Sequence, residues 1–71
     1  MDLEIGNVIY RIVDTVYHPM GYIGVVTRNT HPGLLQVKRL NDGKLKYPHS
    51  DNIVKIADSL DKLPLLYRLI L

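Results

Sequence analysis

The amino-acid sequence predicts a mainly β fold, a small barrel of five strands followed by one short helix. Short runs of β-branched and aromatic residues are separated by turns rich in glycine, proline, asparagine and aspartate. No connection between these runs is long enough to hold a crossover helix, which excludes a βαβ arrangement. After Ala57 the strand pattern ends and the chain becomes rich in leucine. We therefore predict a barrel at residues 1–57 and a helical tail at 58–71.

The first two strands are predicted at residues 8–13 and 22–28, where β-branched and aromatic residues dominate. Between them, residues 14–21 contain a His-Pro pair and a glycine, which favours an exposed loop because proline keeps the preceding residue out of helical conformation. Gly24 interrupts the second strand. It indicates a bulge or a close approach of two backbones.

The last three strands follow from alternation and turn signals. Residues 34–40 alternate apolar and polar side chains, as a half-buried antiparallel strand does. Asp42-Gly43 is a strong hairpin signal, so residues 44–47 are predicted to pair back on the third strand. A turn at 48–52, in 3₁₀ conformation, then leads to a last strand at 53–56.

The tail is predicted to be helical from Lys62, with Asp61 as its N-cap and Pro64 in the first turn. One helical face would hold residues 63, 66, 67 and 70. An apolar strip that stays outside indicates the alternative function, a protein-interaction or inhibitor module that uses this helix, alone or as a homodimer. The alternative is a helix that only covers the open end of the barrel. The predicted partner-binding residues are Leu63, Leu65, Leu66, Leu69 and Leu71.

Composition narrows the class of protein. Nine Lys and Arg oppose seven Asp and Glu, a mild net charge of +2. Cysteine is absent, which excludes a disulfide scaffold and a Cys-type zinc module and favours a reducing, cytoplasmic location. Acidic residues at the start and short apolar runs give no support for a secretory signal or a membrane span.

Four segments carry a resemblance to a known family. They are 5–8 (Ile-Gly-Asn-Val), 10–13 (Tyr-Arg-Ile-Val), 21–26 (Gly-Tyr-Ile-Gly-Val-Val) and 40–43 (Leu-Asn-Asp-Gly), the last shortly before Tyr47. Through them, residues 5–56 resemble the KOW-type SH3-like barrels of ribosomal proteins and transcription elongation factors. The resemblance implies an SH3-like barrel that docks, without catalysis, onto a nucleic-acid-processing machine of transcription or translation.

Cationic side chains interleave with tyrosines in the predicted barrel, a pattern that contacts phosphates and stacks on bases in RNA- and DNA-binding proteins. The alternative is a solvated strand face whose lysines prevent edge-to-edge aggregation. The predicted nucleic-acid-binding residues are Arg11, Arg28, Lys38, Arg39, Lys44 and Lys46 with Tyr17, Tyr22 and Tyr47. Tyr10 is expected in the core.

No catalytic or metal site is predicted, and no cofactor is expected. His18, His31 and His49 each adjoin a proline, and their spacing matches no metal motif, so loop histidines are expected. Convergence of the three imidazoles on zinc is the alternative. Asp14, Asp42 and Asp51 occupy turn positions, where aspartate bonds the local backbone. No nucleophile elbow, phosphate loop or dinucleotide fingerprint is present, so we predict a binding module and not an enzyme.

Overall fold

The structure, a computed structural model, describes residues 3–12, 21–30 and 34–69. It confirms a mainly β chain: five antiparallel strands form one sheet, and one short helix, α1 (Leu65–Arg68), follows. The strands are β1 (Val8–Arg11), β2 (Tyr22–Thr30), β3 (Leu34–Arg39), β4 (Leu45–Lys46) and β5 (Ile53–Ala57). Within the described residues, no helix is long and apolar enough to cross a membrane.

The strand order in the sheet is β4-β3-β2-β1-β5, so the last strand pairs with the first. The edges are β4 and β5, and the sheet formed by the described residues is not closed into a barrel. Closure therefore stays a prediction. The register of the β2–β3 ladder shifts between Val26 and Arg28, which marks a bulge that bends the long β2 strand.

Both faces of the sheet are apolar. Neighbouring residues of a strand point to opposite faces, and Val8 and Ile9 are both fully buried. Ile9 belongs to a cluster that includes Val26 and Val37, which we call the inner face. Val8 belongs to a second cluster with Ile23 and residues of the tail, which we call the outer face. The tail is thus part of the packing of the sheet.

The local turn predictions hold in two places. Gly43, at φ +75°, closes the β3–β4 hairpin, where its N–H donates to the Arg39 carbonyl at 2.8 Å. The 3₁₀ turn predicted before the last strand spans Ser50–Asn52, and His49 caps it: its Nδ1 accepts from the backbone N–H of Asp51 at 3.3 Å. β2 runs to Thr30, two residues past its predicted end, because its last residues pair with β3.

Gly24 makes the close approach that its position in β2 predicted. A Cβ at this position would lie 2.2 Å from Cγ1 of Val37 and 3.0 Å from the carbonyl oxygen of Lys38. The bulge of β2 lies further along the strand, so Gly24 itself stays in regular pairing with Ile9 and Arg39. A side chain is excluded here because the inner face is already filled.

The tail differs from its prediction. A 3₁₀ turn spans Leu60–Lys62, and α1 begins only after Pro64. Asp61 is not the helix cap; its carboxylate accepts from Ser59 Oγ at 2.5 Å. The reason is Pro64, which forces the preceding residue into extended conformation, so a helix begun at Lys62 cannot pass Leu63 (φ −65°, ψ 126°).

One buried polar residue, Asn7, joins three parts of the chain. Its side-chain oxygen accepts from Glu4 N at 2.9 Å, and its Nδ2 donates to the Asp58 carbonyl at 3.0 Å. Its backbone carbonyl accepts from Val26 N at 2.9 Å. The residue is only 3% exposed, so these bonds form away from water, where a missing partner costs most. Asn7 therefore ties the N-terminal turn to β2 and to the start of the tail.

Candidate interaction surfaces

The two sets of predicted binding residues occupy different parts of the fold, one on the sheet and one on the tail. The cationic and tyrosine residues lie mainly on β2, β3 and the β3–β4 hairpin, while the leucines lie on α1 and the turn before it. Tyr17 and Leu71 fall outside the described residues. The remaining predicted residues differ in their burial and in the hydrogen bonds that they already form within the chain.

Tyr22 is a core residue. It is 7% exposed and belongs to the inner-face cluster, so no ring face is left for a base to stack on. Its prediction as a nucleic-acid contact does not fit this burial. The cause is the alternation of β2, which sends Tyr22 inward and Ile23 outward. The guanidinium of Arg39 lies 5.9 Å from the centroid of the Tyr22 ring.

Arg39 is engaged within its own hairpin. Its Nε donates to Asp42 Oδ1 at 2.9 Å, and its Nη2 donates to Asp42 Oδ2, a bidentate ion pair. The same Oδ1 accepts from Lys44 N at 3.1 Å. The hydrogen bond from Arg39 holds the pKa of the Asp42 carboxyl well below its usual range. Arg39 therefore stabilises the turn and offers its charge to a phosphate less readily than the prediction assumed.

Four predicted residues remain exposed around the hairpin, and we call them the hairpin surface. Arg11 and Lys46 are half-buried and are not part of it. Ladder register places the β2 and β3 members near each other, since Arg28 pairs with Gln36 and Lys38 lies two residues further on β3. The hairpin surface consists of Arg28, Lys38, Lys44 and Tyr47.

The ring of Tyr47 is held in place although it is 61% exposed. Its hydroxyl accepts from Gln36 Nε2 at 2.9 Å, and Gln36 Oε1 accepts from Thr27 Oγ1 at 3.0 Å. A second bond joins Thr27 Oγ1 to the Gln36 carbonyl at 3.2 Å. These hydrogen bonds connect Thr27 on β2 and Gln36 on β3 with Tyr47, which directly follows β4. The network presents an ordered and exposed aromatic face, which is what stacking on a nucleobase requires.

Three leucines of the tail form a second surface. Leu65, Leu66 and Leu69 are each 71–74% exposed, and a helix turns about 100° per residue, so the three share an arc of about 100°. We call them the leucine face. Tyr67 points to the opposite side and packs against the outer-face cluster. The tail thus has one apolar side against the sheet and another in solvent.

Leu63 does not belong to the leucine face. It is 4% exposed and packs with Val8 and Ile23 in the outer-face cluster, so its prediction as a partner contact does not fit its position. Sequence spacing grouped it with Leu66 on one helical face. The helix begins after Pro64, however, so Leu63 is positioned by extended backbone and not by helical periodicity.

Arg68 fixes the tail, a role that the sequence analysis missed. Its Nε donates to the Leu63 carbonyl at 3.2 Å and its Nη2 to the Leu60 carbonyl at 2.8 Å. Cationic side chains near the end of a helical segment often donate hydrogen bonds to its last carbonyls. The position of Arg68 near the end of the tail was the sequence signal that could have predicted this role. Because the turn, α1 and Leu63 are joined in this way, the leucine face sits on a fixed support.

A groove lies between α1 and the sheet. Its volume is about 400 Å³, and its lining residues are Tyr10, Val54, Ile56 and Tyr67. Tyr10 and Val54 are direct ladder partners on β1 and β5. Tyr10, expected in the core, is half-buried and forms a wall of this groove. Among the described residues that line it, none is charged, so the groove suits an apolar group.

Three described aspartates have pKa values below the ordinary value, which favours their ionised form. A hydrogen bond from Lys55 lowers the pKa of Asp58, and a hydrogen bond from Ser59 lowers that of Asp61. A general acid needs the opposite shift. In the described part of the chain no three His, Asp or Glu side chains cluster as metal ligands, while His18 and His31 lie outside that part.

Comparison with protein-family models, curated proteins and solved structures finds no significant match for this chain.

Proposed function

We propose that this chain is a small non-enzymatic binding module and that the leucine face of α1 is its docking element. The observation that carries the proposal is the exposure of Leu65, Leu66 and Leu69 above 70% on a helix whose other side is fixed to the sheet. Contiguous exposed apolar patches on a folded protein mark interaction sites, whereas single exposed apolar residues do not.

The energetic case rests on the small size of the domain. Burying a leucine side chain is worth about 1.5–3 kcal/mol, so a partner that covers the leucine face gains about 3–6 kcal/mol. The total stability expected for 71 residues is about 4–10 kcal/mol. The free energy left in water at this face is therefore comparable to the stability of the whole fold.

An SH3-like barrel is the fold that we propose for the module. Leu35 and Val37 on β3 and Ile53 on β5 share the inner-face cluster, although three strand spacings, about 14 Å, separate β3 from β5 in a flat sheet. A sheet that curls around this cluster accounts for their common burial. The bulge in β2 and the pairing of the first strand with the last support the same curvature.

A second candidate function, contact with RNA or DNA, is favoured by the hairpin surface. The Tyr47 ring is held by Gln36 beside exposed Arg28, Lys38 and Lys44. Such contact fits a module that docks onto a nucleic-acid-processing machine, as the resemblance to KOW-type barrels implies. Three phosphate contacts to a single strand predict a slope of about −2 for the logarithm of affinity against the logarithm of salt concentration.

The docking proposal is tested by affinity capture of the full-length chain from its native host, followed by mass spectrometry. Leu69→Asp places a charge in the leucine face, while Leu45→Asp places one on β4, away from α1. We expect the first variant to lose its specific partner and the second to keep it. Equal capture by both variants would contradict docking through α1.

Nucleic-acid contact is tested separately, by fluorescence anisotropy with single-stranded RNA and DNA at several salt concentrations. Lys38→Glu on the hairpin surface should weaken binding. The matched control is Lys55→Glu on β5, because Lys55 is already paired with Asp58 at 2.6 Å. No binding at low salt, or binding that does not depend on salt, would refute this candidate.

A further inference from the structure

We propose that the partner of the leucine face is a second copy of this chain, related by a two-fold axis. In this arrangement, which rests on the proposed function, the leucine face of each copy enters the groove of the other. The groove is the one lined by Tyr10, Val54, Ile56 and Tyr67. Each copy would then supply one helix and receive one.

The leucine face and the groove flank the same short helix, the first on its solvent side and the second on its sheet side. Tyr67 is both a residue of α1 and a wall of the groove, and Leu66 precedes it in the helix. A two-fold interface requires one patch that is complementary to itself, which an adjacent projection and cavity provide. At roughly 30 Å³ for each non-hydrogen atom, a groove of about 400 Å³ has room for about three leucine side chains.

Charge also favours a second copy over a charged partner. Residues 54–69 carry three cations and two carboxylates, a balance of +1. Lys55 is neutralised by Asp58 at 2.6 Å, and the Arg68 guanidinium already binds two carbonyls of its own copy. Two such surfaces face each other with little repulsion. The hairpin surface, with three exposed cations, would repel itself in the same arrangement.

The exposed area is of the size that a dimer needs. A standard interface buries about 800 Å² on each partner, of which about 57%, or about 450 Å², is apolar. The leucine face together with Val54 exposes about 300 Å² of apolar side chain, taking about 120 Å² for a fully exposed leucine. The half-buried groove residues Tyr10 and Ile56 add to this area. A second copy therefore suffices to cover this surface.

Sedimentation equilibrium on the full chain, from micromolar to millimolar concentration, tests the proposal. We expect the mass to rise from the 8.1 kDa of one chain to twice that value. Leu66→Asp on the leucine face and Val54→Asp in the groove should each raise the dissociation constant at least tenfold. Leu45→Asp on β4 should leave it within twofold.

Mixing the two variants separates the proposed arrangement from packing of one leucine face on the other. An equimolar mixture of Leu66→Asp and Val54→Asp restores one intact contact, because the groove of the first accepts the leucine face of the second. Each variant alone has a charge in both contacts of its dimer, whereas the mixed dimer has both charges in one contact. Because a single charge is enough to break a contact, we expect the mixture to associate more tightly than either variant alone. A mixture that is no tighter overturns insertion into the groove.

Methyl NMR of the unaltered chain covers the case in which Val54→Asp fails to fold. On dilution, the methyl signals of Leu66 and Val54 should shift together, while those of Leu45 should not. A chain that stays monomeric over the whole range, or a dimer that Leu66→Asp does not weaken, overturns the proposal. Docking to a different protein survives a monomeric result if Leu69→Asp alone abolishes capture; if it does not, both proposals fail.

Discussion

Truncation of Leu63 to alanine is the sharpest test of the tail as a structural element. Leu63 is 4% exposed and packs on Val8 and Ile23, whereas Leu66, of the same residue type and three positions later, is exposed. If the outer face of the sheet depends on the tail, Leu63→Ala must destabilise the fold. Leu66→Ala must not, so the pair forms a matched comparison within one short segment.

The magnitude follows from burial. Leu→Ala in a protein core costs about 2–5 kcal/mol, and Leu63 packs where the tail meets the outer face of the sheet, a junction that can partly close, so we expect about 2–3 kcal/mol for Leu63→Ala. That is roughly a fifth to three quarters of the stability expected for a chain of this length. For a domain of this size it lowers the melting temperature by about 8–24 °C. Leu66→Ala should change stability by about 0.5 kcal/mol or less.

Urea denaturation followed by circular dichroism measures both variants, at concentrations low enough to keep the chain monomeric. The slope of the free energy against urea concentration should be unchanged if Leu63→Ala leaves the tail docked, and smaller if the tail detaches. Equal loss of stability in the two variants, or none in either, would refute the assignment of Leu63 to the core. For the same reason, we expect deletion of residues 63–71 to destabilise the sheet as well as to remove the docking surface.

Three further perturbations have definite expected outcomes. Asn7→Ala removes the side-chain oxygen that accepts from Glu4 N and the side-chain amide that donates to the Asp58 carbonyl, so thermal melting should show that the free energy of unfolding falls by about 1–3 kcal/mol. A fall of less than about 0.5 kcal/mol would show that water replaces these bonds. Gly24→Ala brings a methyl group to 2.2 Å from the buried Val37, and we expect denaturant melts to show a cost of about 1–3 kcal/mol; a neutral effect would mean that β2 and β3 separate easily. Asp42 has a folded pKa below its ordinary value of 3.8 because Arg39 donates to it, so its stabilisation is complete above about pH 5 and is lost as the pH falls below 3.8. Asp42→Asn should therefore lower the melting temperature at neutral pH and flatten its acid dependence; parallel profiles for the two proteins would count against the ion pair.

Local signals were sufficient for the secondary structure of the sheet. The order of the strands along the chain, the hairpin at Gly43, the 3₁₀ turn before β5 and the close approach at Gly24 all depend on residues near one another in sequence. Backbone preferences of glycine, proline and β-branched residues act over this range. Those elements could therefore be predicted, while the end of β2 and the start of the helix shifted by a few residues.

Tertiary packing alone decided which of the predicted binding residues are exposed. Tyr22 and Tyr47 are equivalent in a pattern of residue types, yet one lies in the core and the other in solvent. Leu63 and Leu66 differ in the same way, and the bond from Asn7 to Asp58 spans 51 positions. Alternation separates two faces of a strand but does not say which one is covered, because in this sheet both are apolar. A side chain is buried only when other parts of the chain pack against it. In this protein those parts are distant in sequence, so local patterns could not predict the burial of these residues.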